Sequence, residues 1–313
     1  MKARIFILVC IIPLLFIRTV MHEPEPANAV ELGKKLFFDP ILSGNRTISC
    51  ASCHKENLAF SDSVALSPGV NGRLGTRNTP SAMNMRLQES FFWDGRVSSL
   101  EEQVLIPIEN PVEMDLPIDS AIARLNIDPV YRKSFLRIFK ELPSKKTLAK
   151  ALSDFERSLE TNESPFDDWR INDNEDAVSA SAKRGFKLFN TKAKCIQCHF
   201  GPDFNNVEFR NIGLFDGKMH ADSGRSAISH NQSDLGKFKI GSLRNIAITA
   251  PYMHNGMFKT LKEVINYYDD PERIVPNAMN RDTILIRPLQ LTDSEKLDLE
   301  NFLVSLTDRR FLK

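Results

Sequence analysis

The pattern Cys-x-x-Cys-His occurs twice, as Cys50-Ala51-Ser52-Cys53-His54 and as Cys195-Ile196-Gln197-Cys198-His199, 145 positions apart. The surroundings repeat with it. Gly33-Lys34-Lys35-Leu36-Phe37 precedes the first motif and Gly185-Phe186-Lys187-Leu188-Phe189 precedes the second. Downstream of each, apolar residues at helical spacing predict an amphipathic helix. The first covers about Lys145 to Glu160, with Leu148, Leu152, Phe155 and Leu159 on one face. The second covers about Asp293 to Leu306, with Leu297, Leu299, Phe302, Leu303 and Leu306 as its apolar set. Thr292 followed by Glu295 is a capping box that opens it. The chain reads as two copies of one unit: helix, motif, long loops, closing helix. Strand signals are poor, and 17 prolines with 14 glycines punctuate the long connections. The expected class is mostly α, with one domain over 30–172, a second over 173–313 and a polar linker near Asn172–Asp176.

Short helices and long loops make a small core, which a large prosthetic group would fill. Cys-x-x-Cys followed directly by His is the attachment pattern of a c-type haem. Two thioethers fix the porphyrin edge, and the adjacent imidazole becomes the proximal iron ligand. The pattern assigns Cys50, Cys53, Cys195 and Cys198 to two covalently bound haem c groups, with His54 and His199 as iron ligands. A zinc ribbon or a redox dithiol is the competing use of paired cysteines. Neither explains the His after each second Cys or the helices around both motifs.

The fifth cysteine, Cys10, lies in a leader. Lys2 and Arg4 precede an apolar run from Ile5 to Ile17, which Arg18 ends. Such a run is short of the roughly 20 residues that span a bilayer and suits the core of an export signal. Ala27-Asn28-Ala29 is a small-x-small cleavage candidate, so 1–29 is expected to be a cleaved signal, with an uncleaved anchor as the alternative. The expected location is the bacterial periplasm. A net charge of +1, from 41 basic and 40 acidic residues, argues against a general nucleic-acid binder.

Two haems can serve an electron carrier or an enzyme; an open sixth position on one iron separates them. No histidine lies between His54 and His199, so the first haem cannot be bis-His within its own domain. Met83, Met85 and Met114 are the local residues that could close it, each with core packing as the competing role.

Phe91-Phe92-Trp93-Asp94-Gly95-Arg96, Asn110-Pro111-Val112-Glu113-Met114, Leu243-Arg244-Asn245-Ile246 and Thr249-Ala250-Pro251-Tyr252-Met253-His254-Asn255-Gly256 follow in order with both haem motifs. In this set the chain resembles the bacterial di-haem cytochrome c peroxidases over nearly its whole length after the leader. The resemblance implies two cytochrome c-like domains and reduction of hydrogen peroxide. It implies that Glu113 is the distal carboxylate that moves a proton between the peroxide oxygens, that Gln103 lines the same pocket, and that Trp93 relays electrons between the haems. It also implies one calcium ion held by Asn78, Thr249 and Pro251, whose oxygen donors suit that hard cation. His254 is expected to hydrogen-bond near a haem carboxylate or the domain interface and not to bind iron. Electrons are expected from a small c-type cytochrome or a cupredoxin. The resembled family commonly forms homodimers, although no self-complementary apolar surface in the sequence shows one here.

Two departures from that family stand out. The loop Leu66-Ser67-Pro68-Gly69-Val70-Asn71-Gly72-Arg73-Leu74-Gly75 lacks the histidine that many members carry. The first haem is therefore expected to be open in every oxidation state. The second departure follows Thr260-Leu261-Lys262-Glu263, where the position of the usual methionine ligand falls on Tyr268, with Met257 and Met279 as rivals. Tyrosine there is similar to the branch of the family that contains MauG, in which peroxide equivalents oxidise a partner protein. That activity is the alternative to peroxide reduction; a pure di-haem electron carrier is the alternative from a different class.

Overall fold

The computed structural model describes residues 25–312. The apolar run of the expected signal lies outside them, and no helix among the described residues is long and apolar enough to cross a membrane. The protein is mostly helical.

The first unit opens with the helix Ala29–Phe38. Asn28 caps it by accepting the Glu31 N–H at 3.0 Å, and Glu31 adds negative charge where the helix leaves free N–H groups. Its buried face is Leu32, Gly33, Leu36 and Phe37. The closing helix runs Lys145–Arg157, starts at a Ser144–Thr147 capping box, and buries Leu148, Ala151, Leu152 and Phe155. It stops short of Glu160, although Leu159 is still buried. The two helices cross in contact because position 33 has no side chain: a Cβ there would sit 1.9 Å from the Ala151 carbonyl oxygen.

The second unit repeats this crossing. Ala180–Asn190 packs on Asp293–Ser305, and a Cβ on Gly185 would sit 1.9 Å from the Asp298 carbonyl oxygen. The Thr292–Glu295 capping box forms as expected. Leu297 does not join the apolar face and is 56% exposed. A residue two positions from Leu299 points to the opposite side of a helix with 3.6 residues per turn.

Matching phenylalanines knit each unit. Phe37, Phe60 and Phe155 have ring centroids 5.1–6.2 Å apart, and Phe189, Phe204 and Phe302 have theirs 5.0–5.8 Å apart. Most of these contacts are edge-to-face, the geometry that ring quadrupoles favour. The apolar side chains fall into two clusters, one running from Leu32 to Leu159 and the other from Phe166 to Leu306.

Among the described residues, regular strand is limited to Phe209–Arg210 paired antiparallel with Phe238–Lys239. Polar groups join the two halves. Arg77 bonds Asp94 at 2.6 Å and grips Asp222 through two nitrogens at 2.7 and 2.9 Å. Arg225 donates to the backbone carbonyls of Asp94 and Gly95. Asn245 donates to Thr161 at 2.6 Å. Ahead of the first helix, Glu25 pairs with Lys133 and Arg137 at 2.7 and 2.6 Å.

Candidate functional site

The short helix Cys50–Cys53 carries the first motif, held by a capping box between Ser49 and Ser52. The next residue, His54, turns its Nδ1–H toward the Phe60 carbonyl at 2.8 Å. A carbonyl can only accept, so this bond fixes the tautomer and leaves Nε2 free as a ligand. The second motif does the same with a loop one residue shorter: His199 Nδ1 lies 2.9 Å from the Phe204 carbonyl. Burial lowers the pKa of both imidazoles, which favours the neutral, ligating form.

Burial also pushes the Cys53 thiol up to about 11 and the Cys195 thiol up to about 12, and raises Cys50 and Cys198. A redox dithiol needs a depressed thiol pKa, so the dithiol use finds no support. Among the described residues no three His, Cys, Asp or Glu side chains converge as a metal-binding group.

Cys50, Cys53 and His54 line a cavity of about 570 Å³. The expected distal residues Gln103 and Glu113 line it too, and so does Trp93, the expected electron relay. Gln103 Oε1 is buried with no hydrogen-bond partner. A buried acceptor left unpaired costs about 1–3 kcal/mol, so this atom marks a place for a donor that the chain does not supply. Glu113 accepts from Asn110 Nδ2 at 2.7 Å through Oε1, which leaves Oε2 for another partner. Burial raises the Glu113 pKa, against the opposing pull of Arg96 and Asn110. These features fit a haem with a polar group above it.

The histidine-free loop buttresses that carboxylate. Val70 N–H donates to the Glu113 carbonyl at 2.8 Å, and Arg73 bonds the Pro111 carbonyl and Asp115 on the same segment. Gly69 permits the contact, since a Cβ there would meet the Val112 carbonyl oxygen at 2.2 Å. Of the methionines, Met83 is buried with its sulfur 3.6 Å from Asn245 Nδ2. Met114 is buried and Met85 partly buried, and both line the cavity.

Trp93 is fastened from both halves. Its Nε1–H donates to the Asn78 carbonyl at 2.8 Å, and its own carbonyl accepts from Lys239 N–H at 2.8 Å. Asn78, Thr249 and Pro251 all line the same cavity. Asn78 Nδ2 donates to the Val64 and Ala65 carbonyls, which turns its Oδ1 away from them as an oxygen donor. His254 stacks on Phe238 with centroids 3.8 Å apart, and its carbonyl accepts from Asn78 N–H. It lies at the junction of the halves, and burial lowers its pKa to about 4.

At the second motif, adjacent tyrosines on the helix Leu261–Asp269 part ways. Tyr267 is fully buried and donates to the Ile212 carbonyl at 2.6 Å. The Tyr268 hydroxyl makes no hydrogen bond to any described residue. Burial raises its pKa strongly, and Tyr267, Cys198 and Cys195 add to the rise; Tyr268 and Cys195 pack against the same apolar cluster. Of the rivals, Met279 is 43% exposed, and Met257 packs against the second cluster with its sulfur 3.8 Å from Asn255 Nδ2.

Sequence reasoning missed Glu156, a buried carboxyl on the closing helix that lines the cavity, and the cations Arg77 and Lys239. The Arg77–Asp94 pair had a partial signal in the Trp93-Asp94-Gly95-Arg96 run; the other two had none.

A family model described as di-haem cytochrome c peroxidase matches residues 27–176. The chain is 36% identical to the methylamine utilization protein MauG of Methylorubrum extorquens over 91% of this chain and 79% of that protein. It is 36% identical to the cytochrome c551 peroxidase of Nitrosomonas europaea over 77% of this chain and 73% of the other. The crystal structure of a MauG-like protein associated with microbial copper homeostasis superposes with a TM-score of 0.83 at 30% identity, covering 93% of this chain and 92% of that one. With paired cysteines, an anchored histidine and a polar distal wall in one cavity, the chain belongs to the di-haem cytochrome c peroxidase family and is a haem oxidoreductase.

Proposed function

We propose that the protein reduces hydrogen peroxide to water in the cavity bounded by His54, Gln103 and Glu113, with electrons delivered through Trp93. The observation that carries this reading is the unpaired Gln103 Oε1 in the same cavity as the raised carboxyl of Glu113. Cys50, Cys53 and His54 would hold a haem, which would supply redox-active iron to this cavity. Gln103 Oε1 accepts a hydrogen bond from peroxide and orients it. Glu113 Oε2, the oxygen not bonded to Asn110, takes the proton from one peroxide oxygen and returns it to the other, which leaves as water. Two electrons and two further protons complete two waters per peroxide.

Cys195, Cys198, His199 and Tyr268 would hold the second haem, which would supply a redox centre for passing electrons on. A calcium ion held by Asn78, Thr249 and Pro251 stiffens the junction beside Trp93. A small periplasmic cytochrome or cupredoxin donates to the second haem. In the test, Glu113→Gln keeps both haems and loses peroxide turnover by about 10²–10⁴-fold, the range for a general acid–base group. Unchanged peroxide consumption in that variant rejects the assignment.

Tyr268 favours a second reading, a MauG-like oxidase that uses peroxide equivalents to oxidise a partner protein. A phenolate ligand stabilises higher iron oxidation states, whereas a thioether raises the potential. Titrating the reduced protein with peroxide, with and without a small c-type donor, separates the two. Fast multiple turnover with the donor supports the peroxidase; slow turnover and retention of the oxidising equivalents support the oxidase.

A further inference from the structure

Four arginine or lysine side chains line the first cavity: Arg77, Arg96, Arg244 and Lys239. Three have carboxylates in hand. Arg77 meets Asp94 at 2.6 Å, Arg96 meets the same Asp94 at 3.0 Å, and Arg244 meets Asp167 at 2.8 Å. Lys239 has no acidic partner among the described residues. Its ammonium donates to the Ser90 carbonyl at 3.1 Å and to Gln88 Oε1 at 3.3 Å, two long bonds to neutral groups, and lies 5.9 Å from the Phe91 ring centroid. One of its three N–H donors is left over. Burial, with no compensating charge, lowers its pKa to about 8. A buried cation normally has a counter-ion, and here the space beside it is the cavity that Cys50, Cys53 and His54 also line.

We infer that Lys239 binds a carboxylate of the prosthetic group in this first cavity, so that the C-terminal half supplies the cation for the N-terminal haem. The inference rests on the haem reading above. A haem carries two carboxylates at the edge away from its neutral vinyl-derived links, and the remaining cations of the cavity are already neutralised. Lys239 belongs to the strand Phe238–Lys239, and its N–H holds the Trp93 carbonyl at 2.8 Å. One residue therefore ties the indole to the anion of the first haem. A positive charge beside a haem disfavours its oxidised, more cationic state, so Lys239 raises the potential of the haem that receives electrons.

The test is a redox titration of the haem-loaded full chain, each haem followed at its own absorption bands, with haem content counted first. In Lys239→Met the midpoint potential of the N-terminal haem shifts negative, that of the C-terminal haem stays, and Lys239→Arg restores the native value. Two bound haems and an unmoved N-terminal potential in Lys239→Met overturn the inference. A crystal structure of the native haem-loaded chain gives the answer even where the variant fails to load. A Lys239 Nζ within about 4 Å of a haem carboxylate oxygen supports the inference, and a longer separation overturns it. A native chain with no haem at Cys50 and Cys53 would instead refute the haem reading itself, an outcome that the haem count distinguishes.

Discussion

The two haem cradles are alike below and unlike above. Each has a glycine-mediated helix crossing, three phenylalanines in mutual contact, and a histidine whose Nδ1 is held by a phenylalanine carbonyl. Above the first histidine stand Gln103 with an unpaired oxygen and Glu113 with a raised pKa. The second half instead carries Tyr268, whose phenol has a raised pKa. The closing helices differ in the same sense. When Phe155 is matched to Phe302, the buried Glu156 of the first unit corresponds to Leu303 in the second. The scaffold around the histidine is duplicated, while the carboxyls Glu113 and Glu156 line the first cavity. Under the proposed function, the first copy would carry out proton-coupled chemistry on peroxide and the second would pass electrons to it.

The largest test of this contrast after loss of Glu113 is to give the second site a thioether. Tyr268→Met should raise the potential of the C-terminal haem by a sizeable part of the roughly 0.8 V over which axial ligands set haem potentials. It should also introduce a near-infrared sulfur-to-iron band. A native protein that already shows that band would assign the ligand to Met257 or Met279 instead. The first haem invites a parallel check. The electron paramagnetic resonance of the fully oxidised protein should contain a high-spin signal, and a purely low-spin spectrum would refute an open first site.

The shared lower half can be broken from either side. Gly33→Ala and Gly185→Ala should each destabilise their own helix crossing by about 1–3 kcal/mol or more, as overpacking does. Both Cβ atoms would meet a backbone carbonyl oxygen 1.9 Å away. Denaturant melts that show a loss in only one variant would refute the equivalence of the two crossings.

Glu156 tests the titratable side of the comparison. Burial raises its pKa from 4.5 to about 8, so the folded chain binds a proton there that the unfolded chain releases. Its contribution is therefore full below pH 4.5 and is lost as pH rises toward 8, with a slope approaching about 1.4 kcal/mol per pH unit. Glu156→Leu, the residue type of the second unit, should flatten the stability profile over that window. An unchanged profile would show that the carboxyl ionises freely in place.

The smallest effect concerns Arg96, which opposes the rise of the Glu113 pKa. Glu113 must be ionised to take a proton, so activity falls as pH drops through its raised pKa. Arg96→Met should move that acid limb to higher pH, by less than about one unit at the effective dielectric of a partly buried pair. A limb that stays in place would mean that Arg96 is neutralised by Asp94, its bonded partner at 3.0 Å.

Much of the scaffold was legible because its signals are local. Capping at Thr292 and Glu295, the spacing of Leu148, Leu152 and Phe155, and the contiguous Cys-x-x-Cys-His motifs each act over a few residues. Leu297 shows the limit of reading hydrophobicity without phase. Phe60 and Phe204 carry no sign in the sequence that their carbonyls will meet His54 and His199. Tyr268 was picked out by its position after Thr260-Leu261-Lys262-Glu263, whereas the satisfied hydroxyl of its neighbour Tyr267 was invisible, because it depends on which way a helix is rotated.

The sequence by itself determined the chemistry available: covalent attachment points, proximal ligands, a duplicated unit and a family resemblance. These follow from residue identity and short spacing. Tertiary structure decided which groups meet. It brought Lys239 of one half to the cavity of the other, paired three cations with Asp94 and Asp167, left a fourth without an acid, and buried Glu156. Burial and charge compensation depend on distances between residues far apart in the chain, and only the folded arrangement sets those distances.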